Sequence, residues 1–183
     1  MFETLLARLA RALDDAGLPY MVIGGQAVLL YGEPRLTRDV DLTLGVGPER
    51  LADVLGVVER LGLRPLVEPE PFVTETLVLP CEEPESGIRV DLVFSLPGYE
   101  RTALTRTNRV QVGGAEVRFA SVEDLLIQKV VAGRPRDLED ARGVLLRNPG
   151  VDVGYVRRWL TEFSEALGAP FVTTFDALVE ETR

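Results

Sequence analysis

The sequence predicts an α/β (α+β) fold, a small mixed β-sheet with helices packed on it and a helical C-terminal part. Three observations carry this expectation. Apolar residues at helical spacing alternate with short β-branched runs through the first 120 positions, so that the chain opens in the order α-β-α-β-α. Gly113-Gly114 divides two alternating runs as a tight hairpin would. Beyond Ala120 the pattern is helical to the end. At 183 residues the chain is long enough for a well-formed core, with expected boundaries of 1–120 for the sheet-bearing core and 121–183 for a helical subdomain packed on it.

The elements follow from their patterns. Phe2, Leu5, Leu6, Leu9 and Leu13 lie on one helical stripe, which Gly17-Leu18-Pro19 ends. Tyr20-Met21-Val22-Ile23 reads as a buried strand, and Gly24-Gly25 opens a helix that Gly32 and Pro34 stop. Residues 39 to 44 alternate polar and branched apolar side chains, as a strand does. Leu51, Val54, Leu55, Val58 and Leu61 make one face of the next helix. Val73 to Leu79 and Ile88 to Phe94 read as strands joined by an exposed loop at 80–87, rich in proline and acids, while 109–112 and 116–119 form the glycine hairpin. Ser121-Val122-Glu123-Asp124 resembles a capping box, and helices are expected at roughly 122–132, 135–147, 153–167 and 170–181.

Composition removes several function classes. The chain has no histidine and one cysteine, Cys81, which excludes histidine- and cysteine-built zinc sites, Ser-His-Asp and Cys-His catalysis and an internal disulfide. Any metal must be held by oxygen. No run approaches the roughly 18 apolar residues of a membrane span, and Met1-Phe2-Glu3-Thr4-Leu5 does not open like a secretory leader, so a cytoplasmic protein without a membrane partner is expected. A net charge of -9 argues against non-specific coating of nucleic acid. The charge is uneven, however: residues 66–100 hold eight acids and one arginine, and residues 129–158 hold seven bases and four acids. That second stretch could meet a nucleotide or an RNA end.

The most informative stretch is Arg35-Leu36-Thr37-Arg38-Asp39-Val40-Asp41. On a strand, Asp39 and Asp41 point to one face about 6 to 7 Å apart, where they repel unless a cation lies between them. Paired oxygen donors of this kind suit Mg²⁺ and point to metal-dependent phosphoryl transfer. Asp91 sits in a second apolar strand, where a lone carboxylate needs a partner. If the two strands are neighbours, three carboxylates converge and can hold two metal ions. Strand ends in water, or an arginine salt bridge to Asp91, are the alternatives. Gly24-Gly25 at a strand-to-helix turn is suited to receive phosphate on exposed N–H groups. Lys129, the only lysine, extends an apolar helix stripe and so points inward, toward phosphates, the acid cluster or a structural salt bridge. Asp137 and Asp140 follow Arg136 in the first turns of the next helix, where they act in the site or only cap. Arg35 and Arg38 steady phosphates or neutralise the acids.

Taken together, Gly24-Gly25, Asp39-Val40-Asp41 and Asp91 resemble the signature of the nucleotidyltransferase superfamily that shares the DNA polymerase beta fold. The run 35–41, with Asp124-Leu125, Lys129, Arg136-Asp137 and Asp140, resembles more narrowly the AbiEii-like nucleotidyltransferases, the toxins of type IV toxin-antitoxin systems. Gly25 stands where many such enzymes have serine, and Arg136 where many have lysine. The resemblance implies transfer of a nucleoside monophosphate from an NTP, such as ATP, to an acceptor hydroxyl on an RNA or tRNA end or on a protein. Two Mg²⁺ ions, replaceable by Mn²⁺, would be held by Asp39, Asp41 and Asp91. Lys129 would join these three as a catalytic group, and Gly24, Gly25, Arg35, Thr37, Arg38, Lys129, Arg136, Asp137 and Asp140 would bind nucleotide. A cognate antitoxin or toxin is the implied protein partner. A non-catalytic nucleotide- or partner-binding module of the same fold, or an antitoxin-type enzyme that nucleotidylates a protein, are the competing expectations.

Overall fold

The computed structural model describes residues 1–95 and 98–183. The chain divides into two compact units, the first made of Met1–Gln26 and Thr37–Phe119, the second of Ala27–Leu36 and Ala120–Arg183.

The first unit holds the sheet. Its strands are β1 (Tyr20–Ile23), β2 (Asp39–Leu44), β3 (Arg64–Pro65), β4 (Val78–Glu83), β5 (Ile88–Phe94), β6 (Asn108–Val112) and β7 (Ala115–Phe119). Among the described residues they form one mixed sheet in the order β3-β4-β5-β2-β1-β7-β6. β2 lies at its centre, antiparallel to β1 and parallel to β5. Val40, Leu42 and Leu44 of β2 stand beside Val90, Leu92 and Phe94 of β5, and all six are buried. Each such side chain contributes about 1.5–3 kcal/mol on leaving water. That term sets the register, because a slip of one residue would turn this apolar face outward and drive the aspartates of both strands into the core.

Helix α1 (Phe2–Asp15) buries Leu5, Leu6, Leu9 and Leu13, the stripe its sequence shows, against β6 and β7. The two-glycine hairpin forms as expected: Gly113 and Gly114 both have positive φ, at 55° and 76°, the twist that lets a two-residue turn join β6 to β7. A Cβ on Gly113 would lie 2.8 Å from the Glu3 carbonyl oxygen, so α1 also requires glycine there.

Two expectations are corrected. Val73–Leu79 is not a strand. Pro69 starts a helix, α4, spanning Pro69–Thr76 and preceded in the chain by α3 (Leu51–Arg60); Leu77 ends α4 in the left-handed conformation at φ 60°. The β-branched Val73, Thr74 and Thr76 suggested extension, but the fixed φ of proline at the first helical position is preorganised for a helix. The strand begins only at Val78 and runs through Pro80-Cys81-Glu82-Glu83, the stretch read as exposed loop. Cys81 is fully buried, and burial, followed by the charge of Asp91, pushes its thiol up to about 12. A short helix at Tyr99–Thr105, α5, was not anticipated, since seven residues carry little periodic signal.

The second unit is helical. It contains α6 (Val122–Ala132), α7 (Pro135–Arg147), α8 (Val153–Leu167) and α9 (Phe171–Glu181), near the expected ranges. The Asp124 N–H donates to Ser121 Oγ at 3.1 Å, and the same hydroxyl donates to the Asp124 carboxylate at 2.6 Å, so the cap read from the sequence is in place. The helix α2 (Gly24–Tyr31) begins in the first unit and ends in the second. Its far end is bound there by Tyr31, whose hydroxyl donates to the Ala120 carbonyl at 2.8 Å, and by Asn148, which donates to the Tyr31 carbonyl at 2.8 Å. Among the described residues no helix is long and apolar enough to cross a membrane.

Candidate active site

The aspartates lie on the face of the sheet opposite the buried valines and leucines. Asp41 is the register partner of Asp91, and Asp39 that of Arg89. Neighbouring strands are about 4.8 Å apart, so the parallel pairing sets Asp41 and Asp91 side by side, with Asp39 two residues along on the same face. The adjacency of the two acidic strands, conditional in the sequence, is thus present in the fold. All three aspartates are partly exposed.

Each acid has local partners. Thr37 Oγ1 donates to Asp39 Oδ1 at 2.9 Å, and Gln26 Nε2 donates to the Asp39 carbonyl at 3.4 Å. Arg89 approaches Asp91 at 3.4 Å, the arginine salt bridge weighed as the plain alternative for that carboxylate. Asp41 faces the turn at the start of α2. An ideal Cβ built on Gly24 would fall 2.0 Å from Asp41 Oδ2, and Gly24 has φ +60°, so both space and backbone conformation demand glycine. Gly25 follows it, buried, in the first turn of α2. The helix start offers N–H groups and the positive end of the dipole beside an anionic centre. Arg38 is exposed next to Asp39.

The donors fit a hard divalent cation by chemistry, since all are carboxylate oxygens on one face. Among the described residues, however, no group of three or more cysteine, aspartate and glutamate side chains is gathered closely enough to hold a metal ion. Register supplies the adjacency, and side-chain rotation would have to close the shell.

The other expected site residues lie in the second unit and bind one another. Lys129, with 8% of its side chain exposed, donates to Asp137 Oδ1 at 2.7 Å and meets Asp140 Oδ2 at 2.9 Å. Arg35 forks onto Asp140, Nε to Oδ1 at 2.8 Å and Nη2 to Oδ2 at 3.0 Å. Arg134 donates to Asp137 Oδ2 at 2.6 Å, and Arg136 donates to the Leu36 carbonyl at 3.1 Å. Burial alone would raise the Asp137 carboxyl, but the hydrogen bonds from Lys129 and Arg134 outweigh it and hold the group below its ordinary value. Lys129 therefore points inward, as its place in the stripe suggests, into a salt-bridged pair of carboxylates.

Sequence reasoning missed Arg89 and Arg134. The signal was present for both. Arg89 precedes Asp91 by two in a strand, which puts them on one face, and Arg134 precedes Asp137 by three at a helix start.

A mixed sheet bearing paired aspartates on its central strand beside a glycine turn defines a protein of nucleotidyltransferase fold. The chain belongs to the family described as "Nucleotidyltransferase of unknown function (DUF6036)", whose model matches residues 2–170. Solved structures share the fold. The antibiotic-resistance factor ANT(2'')-Ia matches with a TM-score of 0.64 at 20% identity, over 91% of this chain and 95% of that one. An antigenic nucleotidyltransferase-like protein from Paracoccidioides brasiliensis matches with a TM-score of 0.59 at 17% identity, over 97% and 91%. The lincosamide antibiotic adenylyltransferase LnuA, solved with lincomycin bound, matches with a TM-score of 0.51 at 15% identity, over 72% and 89%. No curated protein matches the chain.

Proposed function

We propose that the protein is a metal-dependent nucleotidyltransferase that moves a nucleoside monophosphate from an NTP to an acceptor hydroxyl. The observation that carries the reading is the register pairing of Asp41 with Asp91, with Asp39 on the same face and Gly24 against Asp41. Asp39, Asp41 and Asp91 would hold two Mg²⁺ ions, or Mn²⁺, which when bound neutralise phosphate charge and acidify an attacking hydroxyl. The acceptor oxygen forms a bond to the α-phosphorus, the bond from that phosphorus to the bridging oxygen breaks, and pyrophosphate leaves. Asp91 would orient the attacking hydroxyl or take its proton. Gly24 and Gly25 receive the β- and γ-phosphates on backbone N–H groups, with Arg38 and Thr37 at the same edge. Arg35, Lys129, Arg136, Asp137 and Asp140, engaged with one another or with backbone, take a supporting part.

The motif order from Arg35 through Asp41, Lys129, Arg136-Asp137 and Asp140 favours an AbiEii-like enzyme acting on an RNA or tRNA end or a protein, as the toxin or antitoxin of a pair. A second reading, a small antibiotic as acceptor, is suggested by the likeness to ANT(2'')-Ia, which was solved in complex with adenylyl-2''-tobramycin. The test is incubation with Mg²⁺ and each α-labelled NTP in the presence of total RNA, lysate protein and aminoglycosides. Label on one acceptor class, absent with Asp41→Asn, is the expected result, and transfer at wild-type rate by folded Asp41→Asn would refute the metal-site reading.

A further inference from the structure

The first unit holds a cavity of about 510 Å³ at the end of β1 away from Asp39 and Asp41. Tyr20 lines it and pairs with Leu44, whereas Asp41 pairs with Ile23, three residues or about 10 Å along the strand. β7 pairs with β1 at one position, Val22 with Phe119, and Tyr20 and Arg118, just before that position on each strand, both border the cavity. Arg118 and Arg109 are register partners on β7 and β6, so their side chains share one face of the hairpin, and both line the space. Like charges placed opposite one another repel. Each is offset by an exposed acid, Arg118 by Asp14 and Arg109 by Glu116, the latter at 3.0 Å. Asp14 stands in the last turn of α1, where a carboxylate opposes the helix dipole. Among the residues that line the cavity, two guanidinium groups face that one carboxylate.

Tyr20 is 1% exposed, and its hydroxyl accepts the Arg118 N–H at 3.3 Å, while its own proton has no acceptor among the described residues. Burial raises the phenol above its ordinary value, outweighing the Arg118 N–H, so at neutral pH the group is a donor. A buried donor without an acceptor costs free energy, and this one borders a space that a ligand can fill. The Arg118 guanidinium lies over the same ring, 5.3 Å from its centroid, which brings cation and donor together. Leu18, Pro19 and Leu104 make an apolar wall.

We propose that the cavity binds a small organic oxyanion, a carboxylate or phosphate monoester on an apolar group, with Arg118 and Arg109 pairing its oxygens and the Tyr20 hydroxyl donating to one of them. Guanidinium groups match the two-oxygen face of such anions, and the volume falls in the range of small-molecule sites, about 300–1,000 Å³. An inorganic anion would leave the apolar wall unused. The organic anion takes the place of Asp14 on Arg118 and relieves the repulsion between the two arginines. None of Asp39, Asp41 and Asp91 lines the cavity, so the site is separate from the proposed transfer chemistry.

The test follows amide NMR shifts of the full-length protein on titration with benzoate and with phenyl phosphate, at low ionic strength, where charges are least screened. Saturable shifts at Gly17, Tyr20 and Arg118, with β5 unmoved, are expected with at least one probe, and the tighter of the two names the anionic group. Arg118→Gln should weaken binding at least about tenfold. Tyr20→Phe keeps the ring and its packing and should weaken it about threefold to tenfold. Asp14→Asn should tighten it about threefold by freeing Arg118, a gain that a bridge serving only to hold α1 to β7 would not give. If Arg118→Gln does not fold, the responses of Tyr20→Phe and Asp14→Asn decide. Absence of saturable shifts at these amides with both probes overturns the proposal, as does unchanged affinity in both Tyr20→Phe and Asp14→Asn. Shifts confined to β2, β5 and the Gly24 turn would place the anion at the aspartate face and overturn it likewise.

Discussion

Gly24 illustrates how narrow the tolerance of the site is. Its φ of +60° is costly for any other residue, and a methyl group there would overlap the Asp41 carboxylate. Gly24→Ala is expected to cost about 1–3 kcal/mol in stability and to lower transfer at least about 100-fold by displacing Asp41. Denaturant unfolding and the labelled-NTP assay check the two effects separately. Lys129 carries a different prediction. Its ammonium is enclosed by Asp137 and Asp140, so Lys129→Ala leaves buried carboxylates short of a donor and should destabilise by about 3 kcal/mol, the scale of breaking a buried ion pair. A variant as stable as wild type with NTP affinity reduced would mark the lysine as a nucleotide ligand.

Among the elements, β2 and α7 show opposite ways of handling acids. β2 keeps its aspartates on one face and its apolar residues on the other, so a period of two separates chemistry from core. α7 buries Asp137 and Asp140 and neutralises them with cations from three chain segments. Because the folded-state pKa of Asp137 lies below its unfolded value, its stabilisation is complete above the unfolded carboxyl pKa, about 3.9. It is lost as pH falls through the folded value. The difference in unfolding free energy between wild type and Asp137→Asn should therefore be constant near neutrality and close below about pH 4. A difference that instead grew on acidification would contradict the assigned direction.

For the whole molecule, the sheet order matters more than any one element. β2 and β5 are separated in the chain by two α-helices, a short 3-10 helix and two strands, yet every residue of β2 pairs with β5. A ligand that recognises only this assembled face must stabilise the folded state. NTP with Mg²⁺ at about 100 times its dissociation constant should add about 2.7 kcal/mol to the unfolding free energy, and Asp39→Ala with Asp41→Ala should abolish the gain. Equal stabilisation of wild type and double variant would place nucleotide binding elsewhere.

The sequence by itself determined the local features. Asp39 and Asp41 share a face because strand periodicity leaves no alternative, Ser121 caps α6, and the Gly113-Gly114 turn closes its hairpin, all through interactions within a few residues. The candidate acids and the glycine turn were legible for the same reason. Tertiary structure decided what depends on partners distant in the chain. Only the β2–β5 register puts Asp91 beside Asp41, and only the joining of Ala27–Leu36 with the C-terminal helices commits Arg35 to Asp140. Residues 73–83 misled because β-branched side chains favour strands only when neighbouring strands are there to pack against. Two prolines, the left-handed Leu77 and the pairing with β5 set that boundary instead.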